Sequence, residues 1–138
     1  MDALFLIGRI LFAGLFVASG LMGHLAAYPQ TRGYAQSKGI PVAGPAVIVS
    51  GVGIIAGGLG IAIGVWPDLA ALGIAVFLFF TAFFMHPFWK EREQMARITE
   101  LTQFQKDVAL LGAALVFFAL TAFGGEFGPT LTDPLFEL

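Results

Sequence analysis

Four stretches of the chain, about Ala3–Tyr28, Ala43–Trp66, Leu69–Trp89 and Phe104–Phe123, are apolar almost without interruption. Each matches the roughly 20 helical residues needed to cross a hydrocarbon core of about 30 Å. Inside lipid a chain must satisfy its own backbone N–H and C=O groups, which leaves helices or closed barrels, and segments of this length are helices. The expected fold is therefore all-α: one integral membrane four-helix bundle spanning residues 1–138, with a tail over 124–138. Composition agrees, since only 12% of residues are charged and 58% are hydrophobic, whereas a soluble domain carries about 25% charged residues. The first stretch is too long for a signal-peptide core, and Asp2 stands where a basic flank belongs, so it is read as a retained helix.

The connections differ in kind. Pro29 to Pro41, with Arg32, Lys38 and Gly39, reads as a polar connector outside the hydrocarbon. Trp66-Pro67-Asp68 makes a tight hairpin, with Asp68 a candidate N-cap. Lys90 to Gln103 is charged, yet Met95, Ile98 and Leu101 recur at helical spacing and Glu93 and Arg97 stand four apart. That pattern predicts a short interfacial helix between helices three and four, lying on the membrane surface. Thr102 with Gln105 resembles a capping box opening helix four, and Gly124-Gly125 ends it.

Arg32, Lys38, Lys90, Arg92, Arg97 and Lys106 fall on one side of the expected bundle and only Arg9 on the other. Cytoplasmic loops retain Lys and Arg, so both termini are expected outside the cytoplasm, with Trp66 and Trp89 as anchors at opposite boundaries. Gly53, Gly57, Gly60 and Gly64 lie on one face of helix two, where a neighbouring helix, or a second copy of the chain in a homo-oligomer, can approach closely.

With no cysteine, the chain has no thiolate chemistry and no cysteine-bound metal or iron–sulfur cluster. A net charge of −2 and the absence of a basic run exclude nucleic acid as a partner. Polar residues in the membrane are then the functional candidates. Arg9, about seven residues into helix one, either reaches the outer boundary or Glu126, or donates to a substrate. At the other side His24 and Tyr28, His86 and Trp89, and Lys106 and Asp107 arrive from three helices. His86 precedes Pro87, which strips the hydrogen bond from the Phe83 carbonyl and ends or kinks the helix. A freed carbonyl, an imidazole and the Trp89 indole suit a quinone headgroup or a proton relay. His24 and His86, 62 residues apart on parallel helices, also match a bis-histidine haem b arrangement, a less specific reading. Nothing in the spacing demands a metal site.

Several of these residues carry a resemblance. Gly8-Arg9, Ser19-Gly20-Leu21, Gly39-Ile40-Pro41, Gly57-Gly58, and above all Met85-His86-Pro87-Phe88-Trp89 followed by Phe104-Gln105-Lys106-Asp107 are similar to the DoxX family of small four-helix membrane proteins. Its CatD-like and MhqP-like members are associated with catechol and quinone stress. Many relatives carry an acidic residue in helix two about where this chain has Gly53. The resemblance implies a bacterial or archaeal cytoplasmic membrane and a link to quinone or thiosulfate oxidoreduction, in which some relatives act as subunits beside a catalytic partner.

The resulting expectation is a quinone-interacting membrane subunit, with His86, Trp89, Lys106, His24 and Arg9 as cofactor-binding residues. The alternatives are a non-enzymatic scaffold that recruits a soluble redox enzyme through Lys90 to Gln103, and, more remotely, a haem-binding or small-molecule transport protein.

Overall fold

A computed structural model describes residues 2–136 and 138. Helix α1 (Asp2–Ala18) runs on as a π-helical segment, Ser19–Ala26; α2 is Tyr28–Ser37; α3 is Ala43–Ile63. Helix α4 (Pro67–Phe80) also continues as a π-helix, Thr81–Met85, followed by a 3₁₀ turn, Phe88–Lys90, and then α5, Gln94–Ala122. Among the described residues there is no strand. Four of the helices are long and apolar enough to cross a membrane, which makes this a multi-pass membrane protein.

Burial is arranged for lipid. Leu11 is 73% exposed and Val49 72%, whereas Arg9 and Asp68 are fully buried and Glu100 and Asp107 nearly so. Exposed leucine and valine cost nothing against acyl chains, while a charge there is expensive, so the charged groups turn inward. The apolar core is built from Ala13 and Phe16 of α1, Ile54 and Ile61 of α3, Ala71, Ile74 and Leu78 of α4, and Ala114 of α5.

Small residues set how closely the helices approach. A Cβ on Gly20, in the π-helical segment after α1, would collide with Ile55 and with the Gly51 carbonyl at 2.8 Å. The expected stripe on α3 is used within the chain: a Cβ on Gly57 would meet Ile74 at 3.0 Å and one on Gly60 would meet Ala70 at 2.8 Å, both on α4. Gly53, by contrast, has nothing within 4 Å.

Two segments depart from the sequence expectation. Most of the polar connector Pro29 to Pro41 is helical, forming α2, with Pro29 in the first turn, where its missing N–H costs nothing. There is no separate interfacial helix before the fourth span. Residues 94–103 are the first turns of α5, whose 29 residues extend about 43 Å at 1.5 Å per residue. Glu93 is the cap: its carboxylate accepts from the backbone N–H of Met95 at 2.9 Å and of Ala96 at 2.6 Å, and these two bonds hold its pKa below the ordinary glutamate value. Thr102 caps nothing, since its hydroxyl donates to the Ile98 carbonyl inside the helix.

The far end of the bundle is tied by the tail. Gly64, at φ +71°, closes α3 in a left-handed conformation that suits glycine. Its carbonyl accepts from Leu131 at 2.9 Å and Thr132 at 3.1 Å. Trp66, rather than Asp68, occupies the N-cap position of α4. The Asp68 carboxylate instead accepts the Phe136 N–H at 2.5 Å. Arg9 is the centre of this end. It donates to the Ile61 carbonyl at 2.8 Å and the Ala62 carbonyl at 3.1 Å in the last turn of α3, and to Phe127 and Pro129 of the tail at 3.2 and 2.6 Å. The guanidinium also lies 4.5 Å from the centre of the Phe127 ring. Carbonyls at a helix C-terminus have no partner in their own helix and carry its negative end, so a buried cation is well placed there.

Arg9→Met leaves these four carbonyls without their donors and is expected to lower stability by about 2–4 kcal/mol. A thermal melt of the detergent-purified variant superimposing on the unaltered protein would refute this structural role.

Candidate functional site

At the opposite end from Arg9 the two π-helical segments, α2 and α5 surround a cavity of about 410 Å³. π-Helical turns are rare and are frequently found at functional sites. Here the first supplies Ser19, Gly23 and His24 to the wall, and the second supplies Thr81 and Met85, with His86 following directly. His86 leaves the helix at φ −119°, ψ 49°, as expected of a residue before proline. Its backbone N–H reaches the Thr81 carbonyl at 3.3 Å, five residues back. Phe16, Phe77, Leu78 and Leu110 make the apolar part of the wall.

Glu100 of α5 organises the polar side. It is 8% exposed, and its two oxygens take three donors from two other elements. Tyr34 Oη donates to Oε1 at 2.6 Å, His86 Nδ1 meets Oε2 at 2.7 Å, and Lys38 Nζ lies 2.9 Å from Oε1. Lys38 also pairs with Glu91 at 2.8 Å, so one ammonium serves two carboxylates. The other imidazole nitrogen of His86, Nε2, faces Asp107 Oδ2 at 3.7 Å, too far for a hydrogen bond. Asp107 is 4% exposed and its Oδ2 has no hydrogen-bond partner. Lys106 Nζ is 3.9 Å from Asp107 Oδ1 and bonds to Gln103.

His24, His86, Lys106 and Asp107 thus share one cavity wall. Tyr28 packs beside Ala35, Ala43 and Val47 instead. Trp89 lies outside the cavity, half exposed, in an aromatic cluster with Phe83, Phe88 and Phe104. Arg9 belongs to the far end, bonded to backbone and not to Glu126. Both ring nitrogens of His86 face carboxylates, Nδ1 that of Glu100 and Nε2 that of Asp107.

Sequence reasoning did not find Tyr34, Lys38, Glu91 or Glu100. The signal for α2 was present: Tyr28, Thr31, Ala35 and Lys38, at helical spacing, are the less exposed positions of that stretch. Glu100 had no such signal: Met95 and Ile98, whose spacing marked the segment as helical, point outward, 66% and 49% exposed, and say nothing of which residue turns inward.

A family model described as DoxX matches residues 4–87, more than half of the chain. The matched region ends just past His86, so Glu100, Lys106 and Asp107 on α5 lie beyond it. No curated protein and no solved structure matched the chain.

The Tyr34 phenol is held above its ordinary pKa by partial burial, then by its bond to Glu100. For Lys38, burial pulls downward, but the bonds to Glu91 and Glu100 outweigh it and the pKa rises. Both groups bind their protons more tightly folded than unfolded. Their contribution to stability is therefore complete below the ordinary values of 10.0 and 10.5 and is lost as pH climbs through the raised ones. In an alkaline absorbance titration, the phenolate signal that disappears in Tyr34→Phe is expected to emerge above pH 10.0; emergence below that value would contradict the hydrogen-bonded network.

Proposed function

The chain belongs to the DoxX family of membrane proteins, and from that premise we propose that it binds a lipid-soluble carrier of the quinone class as the membrane subunit of a quinone-linked oxidoreduction. The observation that carries this reading is the cavity itself: apolar walls of ring-sized dimensions, about 410 Å³, ending at His24, His86, Lys106 and Asp107. Ligand sites are mostly apolar with a few convergent polar groups. Asp107, with a buried oxygen that nothing in the protein satisfies, is the kind of group a ligand completes. In this reading the headgroup sits against these four residues. Trp89 and its phenylalanine neighbours hold the bundle at the bilayer boundary, and Arg9 secures the opposite end. A soluble redox partner supplies or removes the electrons.

Detergent-purified protein is expected to retain an extractable quinone-class molecule or to bind a short-chain quinone. His86→Gln, which preserves a donor toward Glu100, is expected to weaken binding by about tenfold or more, the effect of a hydrogen bond of roughly 1.4 kcal/mol, without changing the melting temperature. If the folded protein neither carries nor binds such a molecule, the proposal fails. A second reading would then stand, in which the chain is a scaffold. It is favoured by Arg92, Met95, Arg97 and Ile98, all exposed on the first turns of α5 and its lead-in, where a soluble enzyme would dock.

The orientation follows from charge. Arg32, Lys38, Lys90, Arg92, Arg97 and Lys106 belong to the cavity end, which we place in the cytoplasm of a bacterium or archaeon, with both termini outside. Because the chain has no cysteine, single replacements give clean labels. In intact cells Met95→Cys is expected to resist a membrane-impermeant maleimide while Glu126→Cys reacts, and the reverse pattern would invert the topology.

A further inference from the structure

The hydrogen-bonding groups of the cavity wall are not evenly divided between donors and acceptors. Most donors are already committed. Thr31 Oγ1 donates to the Gly23 carbonyl, Thr81 Oγ1 to the Phe77 carbonyl at 2.8 Å, Ser50 Oγ to the Val47 carbonyl at 3.2 Å, and Tyr34 Oη to Glu100. The acceptors are left open. Asp107 Oδ2 is buried without a donor. His24 Nδ1 lies 3.2 Å from the Ser19 carbonyl. A carbonyl only accepts, so Nδ1 carries the hydrogen and the neutral ring keeps a lone pair on Nε2. The remaining donors are the Ser19 hydroxyl, which serves equally as an acceptor, and Lys106, whose side chain is 49% exposed at the rim and already donates to Gln103.

Resting on the quinone-class reading above, we propose that the cavity is built for the reduced, hydroxyl-bearing form of the carrier, whose O–H donates to Asp107 and whose second hydroxyl donates to His24. A quinone has carbonyl oxygens alone. Placed here, it would confront acceptors with acceptors and leave Asp107 Oδ2 buried and unpaired, which is costly. A site built to bond a hydroxyl rejects the analogue that lacks it far more strongly than a merely apolar pocket discriminates by size. The groups that bear on Asp107 are His86 and Glu100 behind it, Lys106 beside it, and Tyr34, Lys38 and Glu91 beyond Glu100. His24 faces the same cavity from α1's π-helical segment.

The test is anaerobic binding of three ligands sharing one ring, tetramethylhydroquinone, tetramethylbenzoquinone and the hydroquinone dimethyl ether, to the full detergent-solubilised protein at pH 7. The hydroquinone is expected to bind at least about tenfold tighter than the quinone, the worth of one satisfied hydrogen bond, with the dimethyl ether no better than the quinone. Asp107→Asn, which turns an acceptor into a group that also donates, is expected to close or invert that preference. His24→Leu, which deletes the other acceptor, is expected to narrow it independently, so the proposal remains testable if one variant does not fold. Equal or tighter binding of the quinone overturns the inference and leaves the quinone-class reading standing. A preference unchanged in both folded variants also overturns it. If none of the three ligands binds the folded protein, the parent reading falls with it.

Discussion

In hydrocarbon a polar group has no water to fall back on, and every polar residue of this chain that enters the bundle is governed by that fact. Arg9 finds four carbonyls, two from the frayed end of α3 and two from the tail. Glu100 finds a phenol, an ammonium and an imidazole. These two residues lie at opposite ends of the bundle, and each draws together elements distant in sequence. Two carboxylates are exceptions: Asp68 Oδ1 and Asp107 Oδ2 are both buried without a partner, and of the two it is Asp107 that lines the cavity.

The same constraint accounts for the irregular helices. An α-helix commits each carbonyl four residues ahead, whereas the π-helical segments Ser19–Ala26 and Thr81–Met85 shift that pairing by one. The Ser19 carbonyl thereby meets the His24 ring and the Thr81 carbonyl the His86 backbone N–H. Both departures occur where the chain builds the cavity, and the second coincides with a proline that the helix could not have accommodated.

How much of this was legible beforehand depends on the type of signal. The four spans follow from length and apolarity alone, and the helix end at His86-Pro87 from backbone sterics. The family followed in part from residues inside the match over 4–87, such as Gly8-Arg9 and Met85-His86-Pro87, and in part from Phe88-Trp89 and Phe104 to Asp107 beyond it. Helix α2 was obscured by its two polar faces and its proline, although Pro29 in a first turn is a helix signal as much as a break. The start of α5 was misplaced because Thr102 and Gln105 imitate a cap, while Glu93, the true cap, was taken for half of an ion pair. The polar network was out of reach for a deeper reason. Glu100 is buried because Tyr34, Lys38 and His86 converge on it in three dimensions, and no local pattern encodes a meeting of residues 66, 62 and 14 positions apart.

The linkage between Arg9 and the tail bears on how the molecule is assembled. The guanidinium belongs to the first of the four spans, but its acceptor at Phe127 is 118 residues later, about 6–24 s of translation at roughly 5–20 residues per second. Until then half of the acceptor shell does not exist, and the young helix carries a cation that only water, headgroups or the insertion machinery can solvate. Biogenesis thus has a built-in order: the span that carries Arg9 is completed only when residues 127–129 fold back and release it from its temporary hosts.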